Sequence, residues 1–382
     1  MERAFQKLLL NFTWWVNQKD VSGRHVFGGV FLGLDNIGVF DRSQKLPHGD
    51  QLHQADGTAW MGFYCLTMLS MALELASHSP AYEDIAYKFF EHFVSITDAM
   101  NSFGGHGLWD PQDEFYYDQL IIDKEAPIPL RIRSLVGLLP LCAVAVLKEE
   151  NLNALPGFKK RFDWFLANRP RLATYITHCE NPDAGHQGRY LLAIPSRDRL
   201  EKCLSRMFDP NEFLSDFGIR SLSKAHEEHP FVFEHAGQRH EVPYTPGEST
   251  TAMFGGNSNW RAPVWFPTNY LLIEALERYH YFYGDSLKIQ DPEGDSLTLQ
   301  EGAAILCDRL IALFLPDEAG HRPCRGGAER YRDDPHWKDL HLFYEYFHAE
   351  TGKGLGASHQ TGWTSLVVRL IRERAEKLRR HY

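Results

Sequence analysis

Residues able to do chemistry gather in the loops of this chain: Asp35 and Asn36, Gln54 and Asp56, Trp109 and Asp110, Asn257 to Arg261, then Trp265 and Asn269. Carboxylates and planar amides bind paired hydroxyls and aromatic faces stack on sugar rings, so the set suits a neutral, hydroxyl-rich ligand. Cutting a bond between sugar units takes two carboxyl groups. One donates a proton to the leaving oxygen, and the other, ionised, acts on water or on carbon. Among 50 acidic residues any single Asp or Glu is by default a surface charge or a helix cap, so a further pattern has to select the pair.

The loops must be held by something. Apolar residues recur at intervals of three and four over 4–17, 58–76, 82–100, 131–149, 157–168, 197–207, 265–283, 299–315 and 362–380, which predicts amphipathic helices. Alternating patterns are scarce, with 230–235 the best candidate for a hairpin arm. The expected class is therefore all-α, a bundle or toroid. The stretch 60–76 is apolar on all sides and calls for cover on two faces, as an inner ring of helices inside an outer one would give. Long loops rich in Gly, Asp, Trp and Tyr, at 21–57, 101–128 and 240–264, are the functional candidates. No fixed-period repeat or low-complexity linker divides 1–382, so a single domain is expected.

Composition narrows the partners. A hydrophobic fraction of 43% and a charged fraction of 24% fit a globular chain with a sizeable core. A net charge of −10 repels a phosphate backbone, so no nucleic acid is expected. The basic run from Arg372 to Arg380 alternates with Glu373 and Glu376 and reads as a solvated helix face. Six scattered cysteines suggest neither disulfides nor a zinc site, and reduced thiols fit a cytoplasmic location. No apolar run reaches the roughly 18 residues of a membrane span, and Asn11 and Asn17 interrupt the N-terminal apolar stretch, so neither a membrane nor a signal sequence is expected. The segment 226–229, His-Glu-Glu-His, lacks zinc-protease spacing, and the glycines of 352–356 follow no strand, so no metal and no cofactor are expected. The acidic stretch 291–301 lacks the ligand order of a calcium loop and reads as a solvated turn.

Three ordered segments supply the missing pattern. FLGLDNIGVFD at 31–41 resembles the acid-bearing segment of glycoside hydrolase family 63, WRAPVWFPTNYLLIEAL at 260–276 is similar to that family's Trp-Arg-Gly-Pro stretch, and FYEYFHAETGKGLGASHQTGWTSLV at 343–367 is similar to its base segment. The resemblance implies that Asp35 is the general acid and Glu345 the general base, 17 residues ahead of Gly362. It further implies an (α/α)6 barrel and an inverting hydrolysis of an α-glucoside or related hexose glycoside. In such an enzyme the carboxyl groups stand ~6.5–9.5 Å apart to admit a water. Asn36, Asp56, Trp109, Asp110, Trp260, Arg261, Trp265 and Asn269 become candidates for gripping the sugar. For Trp260, Arg261 and Trp265 the competing role is loop packing, with Arg261 bridging carbonyls.

Two departures from the family pattern stand out. Ala262 occupies the usual Gly position, and only 34 residues precede Asp35 where the family has an earlier Trp-Asp segment and a β-rich domain. The chain is thus expected to be the C-terminal part of a longer protein, with its barrel short of the first helices and the missing part as a partner. Two rival functions stay open: an inactive or non-catalytic carbohydrate-binding fragment, and a trehalase-like hydrolase, whose base lies closer to the Gly-Trp pair.

Overall fold

The computed structural model describes every residue except 19–22, 24, 29–32, 45, 47–48, 103–104, 123–124, 180–187 and 380–382. Phe31 and Leu32 of the acid-bearing segment and Arg380 of the basic run lie outside the described residues. Eight longer helices follow the 3.6-residue pattern: α1 (Glu2–Val16), α2 (Ala55–Ala76), α3 (Ala81–Ser102), α4 (Pro156–Asn168), α5 (Arg197–Met207), α6 (Phe266–Tyr283), α7 (Leu299–Ala312) and α8 (Leu366–Arg379). Their ends obey local chemistry. Ser196 caps α5 by accepting from the Arg199 amide, Thr298 and Glu301 form a reciprocal capping box on α7, and Pro enters the first turns of α4 and α6.

By length and composition α2 could cross a membrane. Here it is a core helix, with α3 along one side and α1 along another, where Phe12 meets Tyr64 and Phe89 edge to face at 5.5 and 5.0 Å. Its close packing shows at Gly62, where a Cβ would lie 3.0 Å from Ile194.

The all-α toroid expected from periodicity is not what forms. Helix takes up 47% of the described residues and strand 16%, spread over several small sheets, so the content is mixed α/β. The stretch 131–149 shows the physical reason. Instead of one helix it makes a single turn at Leu135–Leu138, a 3-10 turn at Leu139–Cys142 and a strand at Val144–Lys148. Pro140 lacks the N–H that a helix interior needs, and the run of Val and Ala after it is apolar enough for either state. Pairing decides: Val144–Lys148 lies antiparallel to Arg189–Ala193, which also pairs with Ile176–Cys179. A second three-stranded sheet joins Gln51–His53, Gln119–Ile121 and Ile128–Pro129, so parts of two long loops are strands. The expected hairpin arm does form, as Phe231–His235 paired with Gln238–Val242. Of the acidic stretch 291–301 only the first part is a turn, closed by the Asp291 carboxylate accepting from the Asp295 amide at 2.7 Å; Ser296–Thr298 is a strand paired with Lys288–Gln290, and Leu299 opens α7.

Buried apolar side chains form one large cluster and a small second one. The second, with Val39, Leu120, Leu130, Ile132, Leu222, Val242 and Ala262, lies beneath the loop that follows Asp35 and gives it a floor.

Candidate functional site

Asp35 sits in a turn after Gly33 (φ 87°) and Leu34 (φ 58°). A left-handed conformation at a buried leucine costs energy and persists only where surroundings enforce it. The enforcement is visible. Asn36, 1% exposed, accepts from the Trp260 amide at 2.7 Å and donates to Asn259 Oδ1 at 3.1 Å. Arg261 donates to the carbonyls of Asn36 at 2.6 Å, Gly38 at 3.0 Å and Glu241 at 3.2 Å. Burial pulls the Arg261 guanidinium down to about 10, which still leaves it charged at neutral pH. Asp35 itself is half-buried, and its Oδ2 accepts a hydrogen bond from the Ser258 hydroxyl.

Glu345 approaches from the other side. It precedes the strand Tyr346–Phe347, which pairs with Gly354–Leu355. The Glu345 amide donates to the Ala357 carbonyl and the Ala357 amide donates back to Glu345 Oε2, both at 2.9 Å. Gly356 (φ 65°) makes this possible, because a Cβ there would lie 2.6 Å from Glu345 Oε2 and 2.6 Å from the Tyr346 ring.

One segment, 245–265, joins the two arms. At the end beside Asp35 lie Ser258, Asn259, Trp260 and Arg261. At the end beside Glu345, Val264 exchanges both backbone hydrogen bonds with Phe347 at 2.9 Å. Between them Trp265 stacks face to face on Trp260 at 3.8 Å and on Tyr346 at 4.7 Å, and its Nε1–H reaches the Asn259 carbonyl at 2.9 Å. The tie runs from Asp35 to Glu345 through fewer than ten consecutive residues of a single segment.

The other sequence-selected residues fare differently. Trp265 is 1% exposed with protein on both faces, so it supports the site rather than offering a stacking surface. Trp260 keeps one face off Trp265 but is only 9% exposed. Asn269 is buried and directs its amide to the Ile219 backbone, accepting at 2.7 Å and donating at 3.1 Å, and to the Trp265 carbonyl at 2.9 Å. Asp56, at the start of α2, shares buried Arg42 with Asp118. Burial first, then the neighbouring Asp56 charge, push the Asp118 carboxyl up to about 6 against the opposing pull of Arg42. Trp109 and Asp110 open a hairpin with Phe115–Tyr116. Asp110 accepts from the Gln112 and Asp113 amides and from Arg131, and Arg199 lies over the Trp109 ring at 4.9 Å. These four residues carry protein partners suited to holding loops. Cavities of 630 Å³ among α6, α7 and α8, and of 550 Å³ between α2, Val144–Val146 and α6, contain neither carboxylate.

Residues 190–292 match the glycosyl hydrolase family 63 C-terminal domain, a region that includes the Trp260–Trp265 element. That match supports membership of glycoside hydrolase family 63. Over 97% of its length it is 50% identical to an uncharacterized protein of Saccharomyces cerevisiae. Over 47% it is 26% identical to the mannosyl-oligosaccharide glucosidase of the same yeast. It spans 36% of the first relative's length and 16% of the second's. Among solved structures, the family 63 mannosylglycerate hydrolase of Thermus thermophilus superposes at a TM-score of 0.41 and 14% identity, covering 85% of this chain and 48% of that one.

The structure adds three residues to the site. Tyr346 lies under Trp265 and donates from its hydroxyl to Glu248 at 2.8 Å. Trp363, 36% exposed, meets Trp265 edge to face at 5.6 Å and is the most open ring of the aromatic group. Trp363 had a signal, since it lies in the Gly-Trp pair used to fix the register of Glu345. Glu248 had none, because nothing in the spacing of 245–250 separates it from a surface carboxylate.

Proposed function

We propose that this chain carries the acid and base of an inverting glycosidase for an α-glucoside or related hexose glycoside. Asp35 protonates the glycosidic oxygen, and Glu345 takes a proton from a water on the opposite face of the sugar. The observation that carries the reading is the single segment 245–265, which ties the Asp35 turn to the Glu345 strand. Ser258 leaves Asp35 with Oδ1 unbound and Ala357 leaves Glu345 with Oε1 unbound, among the described residues, so each carboxyl keeps an oxygen for chemistry. Trp363 supplies the exposed ring on which a sugar can stack.

Glucosylated oligosaccharides and glycosylglycerates are the substrates to screen. Asp35→Asn and Glu345→Gln are each expected to lower turnover by about 10²–10⁴ while the far-UV circular dichroism stays unchanged. Proton NMR of an α-glucoside digest should show β-glucose first, and α-glucose appearing first would refute inversion. A second reading, favoured by the aromatic group of Trp260, Trp265, Tyr346 and the exposed Trp363, is a carbohydrate-holding part without turnover of its own. Sugar-dependent quenching of tryptophan fluorescence with no hydrolysis would select that reading.

A further inference from the structure

Glu248 is placed where both arms of the site meet. Its Oε2 accepts from the Tyr346 hydroxyl at 2.8 Å, and Tyr346 directly follows Glu345. The residue after it, Ser249, lies 3.4 Å through Oγ from Asn36 Nδ2, and Asn36 directly follows Asp35. The backbone on either side is pinned: Asn259 donates to the carbonyls of Thr245 at 2.7 Å and Gly247 at 2.8 Å, and the Ala349 amide donates to the Pro246 carbonyl at 3.0 Å. A side chain on such a support has a defined origin even though Glu248 itself is exposed.

Its bonding resembles that of the two proposed catalytic carboxylates. Asp35, Glu345 and Glu248 each have one oxygen anchored by a single protein donor, from Ser258, Ala357 and Tyr346 respectively. Among the described residues the second oxygen of each has no hydrogen-bond partner. Asp110 and Asp56 are buried beside arginines that neutralise them, and the unpartnered Oδ1 of Asp56 is closed off in the interior. An anchored carboxylate with one vacant oxygen is an acceptor in waiting. Linked to the exposed Trp363 through Tyr346 and Trp265, it matches the chemistry of a sugar hydroxyl.

We propose that Glu248 is a specificity-determining residue, accepting a hydrogen bond from one hydroxyl of the sugar bound between Asp35 and Glu345. This rests on the glycosidase reading above. Tyr346 fixes one oxygen, so the other is presented without the entropic cost of ordering a free side chain. Glu248 takes no part in proton transfer. Its contribution is felt in recognition.

The test compares kcat and KM of the wild-type chain, Glu248→Gln and Glu248→Ala on an aryl α-glucoside and its 2-, 3-, 4- and 6-deoxy analogues. Gln keeps an oxygen for Tyr346 and so controls for folding. In both variants KM for the parent glucoside should rise about tenfold to a hundredfold, the worth of a charge-assisted hydrogen bond, with kcat falling less than about threefold. One deoxy analogue, penalised by the wild type, should lose its penalty in the variants, a change that a merely structural role would not produce. If every deoxy penalty survives in both variants while the wild type turns over, the assignment of Glu248 is overturned and the glycosidase reading stands. If the wild type neither binds nor cleaves any glucoside, the functional reading fails and takes this assignment with it.

Discussion

Around Asp35 side chains do the holding, whereas Glu345 heads a strand whose ties are mostly backbone to backbone. Asn36, Arg261 and Ser258 grip the Asp35 turn through side-chain atoms, two of the contacts ending on the one guanidinium of Arg261. The base side is a two-stranded ladder with reciprocal Glu345–Ala357 bonds and the Val264–Phe347 bridge. A turn clamped by a few side chains can be lost through one substitution. A ladder distributes its bonds and yields only where a side chain cannot fit.

The sharpest way to break that contrast is Arg261→Ala. It leaves three carbonyls, two of them on the acid turn, without their donor, and the cost should be about 3 kcal/mol or more in urea unfolding, with the Asp35 side disordered first. If the variant matches the wild type within ~0.5 kcal/mol, the acid turn does not depend on that clamp. On the base side the vulnerable point is Gly356. Gly356→Ala forces a Cβ against Glu345 Oε2 and the Tyr346 ring at a positive φ, at about 1–3 kcal/mol, and should displace the Glu345 carboxylate and lower turnover more than stability. Equal stability and turnover would show that the ladder can absorb the methyl group.

The smallest effect sharpens the comparison at the shared segment. Ala262 has φ 120°, a conformation that favours glycine, where the family pattern places Gly. Ala262→Gly should raise the thermal midpoint by an amount corresponding to about 1 kcal/mol, since the strain relieved exceeds the entropy that Gly adds to the unfolded chain. A lowered midpoint would mean that the buried methyl group contributes more through packing under the acid turn than the backbone loses in strain.

Much of the fold was legible where the signal is local. The boundaries of α4, α5 and α6 fall within a residue or so of the periodic stretches, because i, i+3 and i, i+4 spacing, entering prolines and a capping Ser196 are all read from neighbours in the chain. The stretch 131–149 departs from its helical periodicity for the complementary reason. Val144–Lys148 is a strand because Arg189–Ala193 lies beside it, more than forty residues away, and apolar periodicity carries no record of that partner. The site shows the same division. The sequence leaves Arg261 either a sugar-binding or a carbonyl-bridging role, and the structure shows the carbonyls it bridges. Asn269 and Asp110 carried the right chemistry for a ligand but have protein partners.

Amino-acid order by itself determined the eight helices and, through motif resemblance, the candidate pair Asp35 and Glu345. Only tertiary structure decided that Trp265 is sandwiched between Trp260 and Tyr346, that Arg42 is divided between Asp56 and Asp118, and that Glu248 stands between the two arms. The physical reason is range. Helix formation is a contest among residues three and four apart, whereas the availability of a carboxylate or an aromatic face depends on which distant groups have already claimed it.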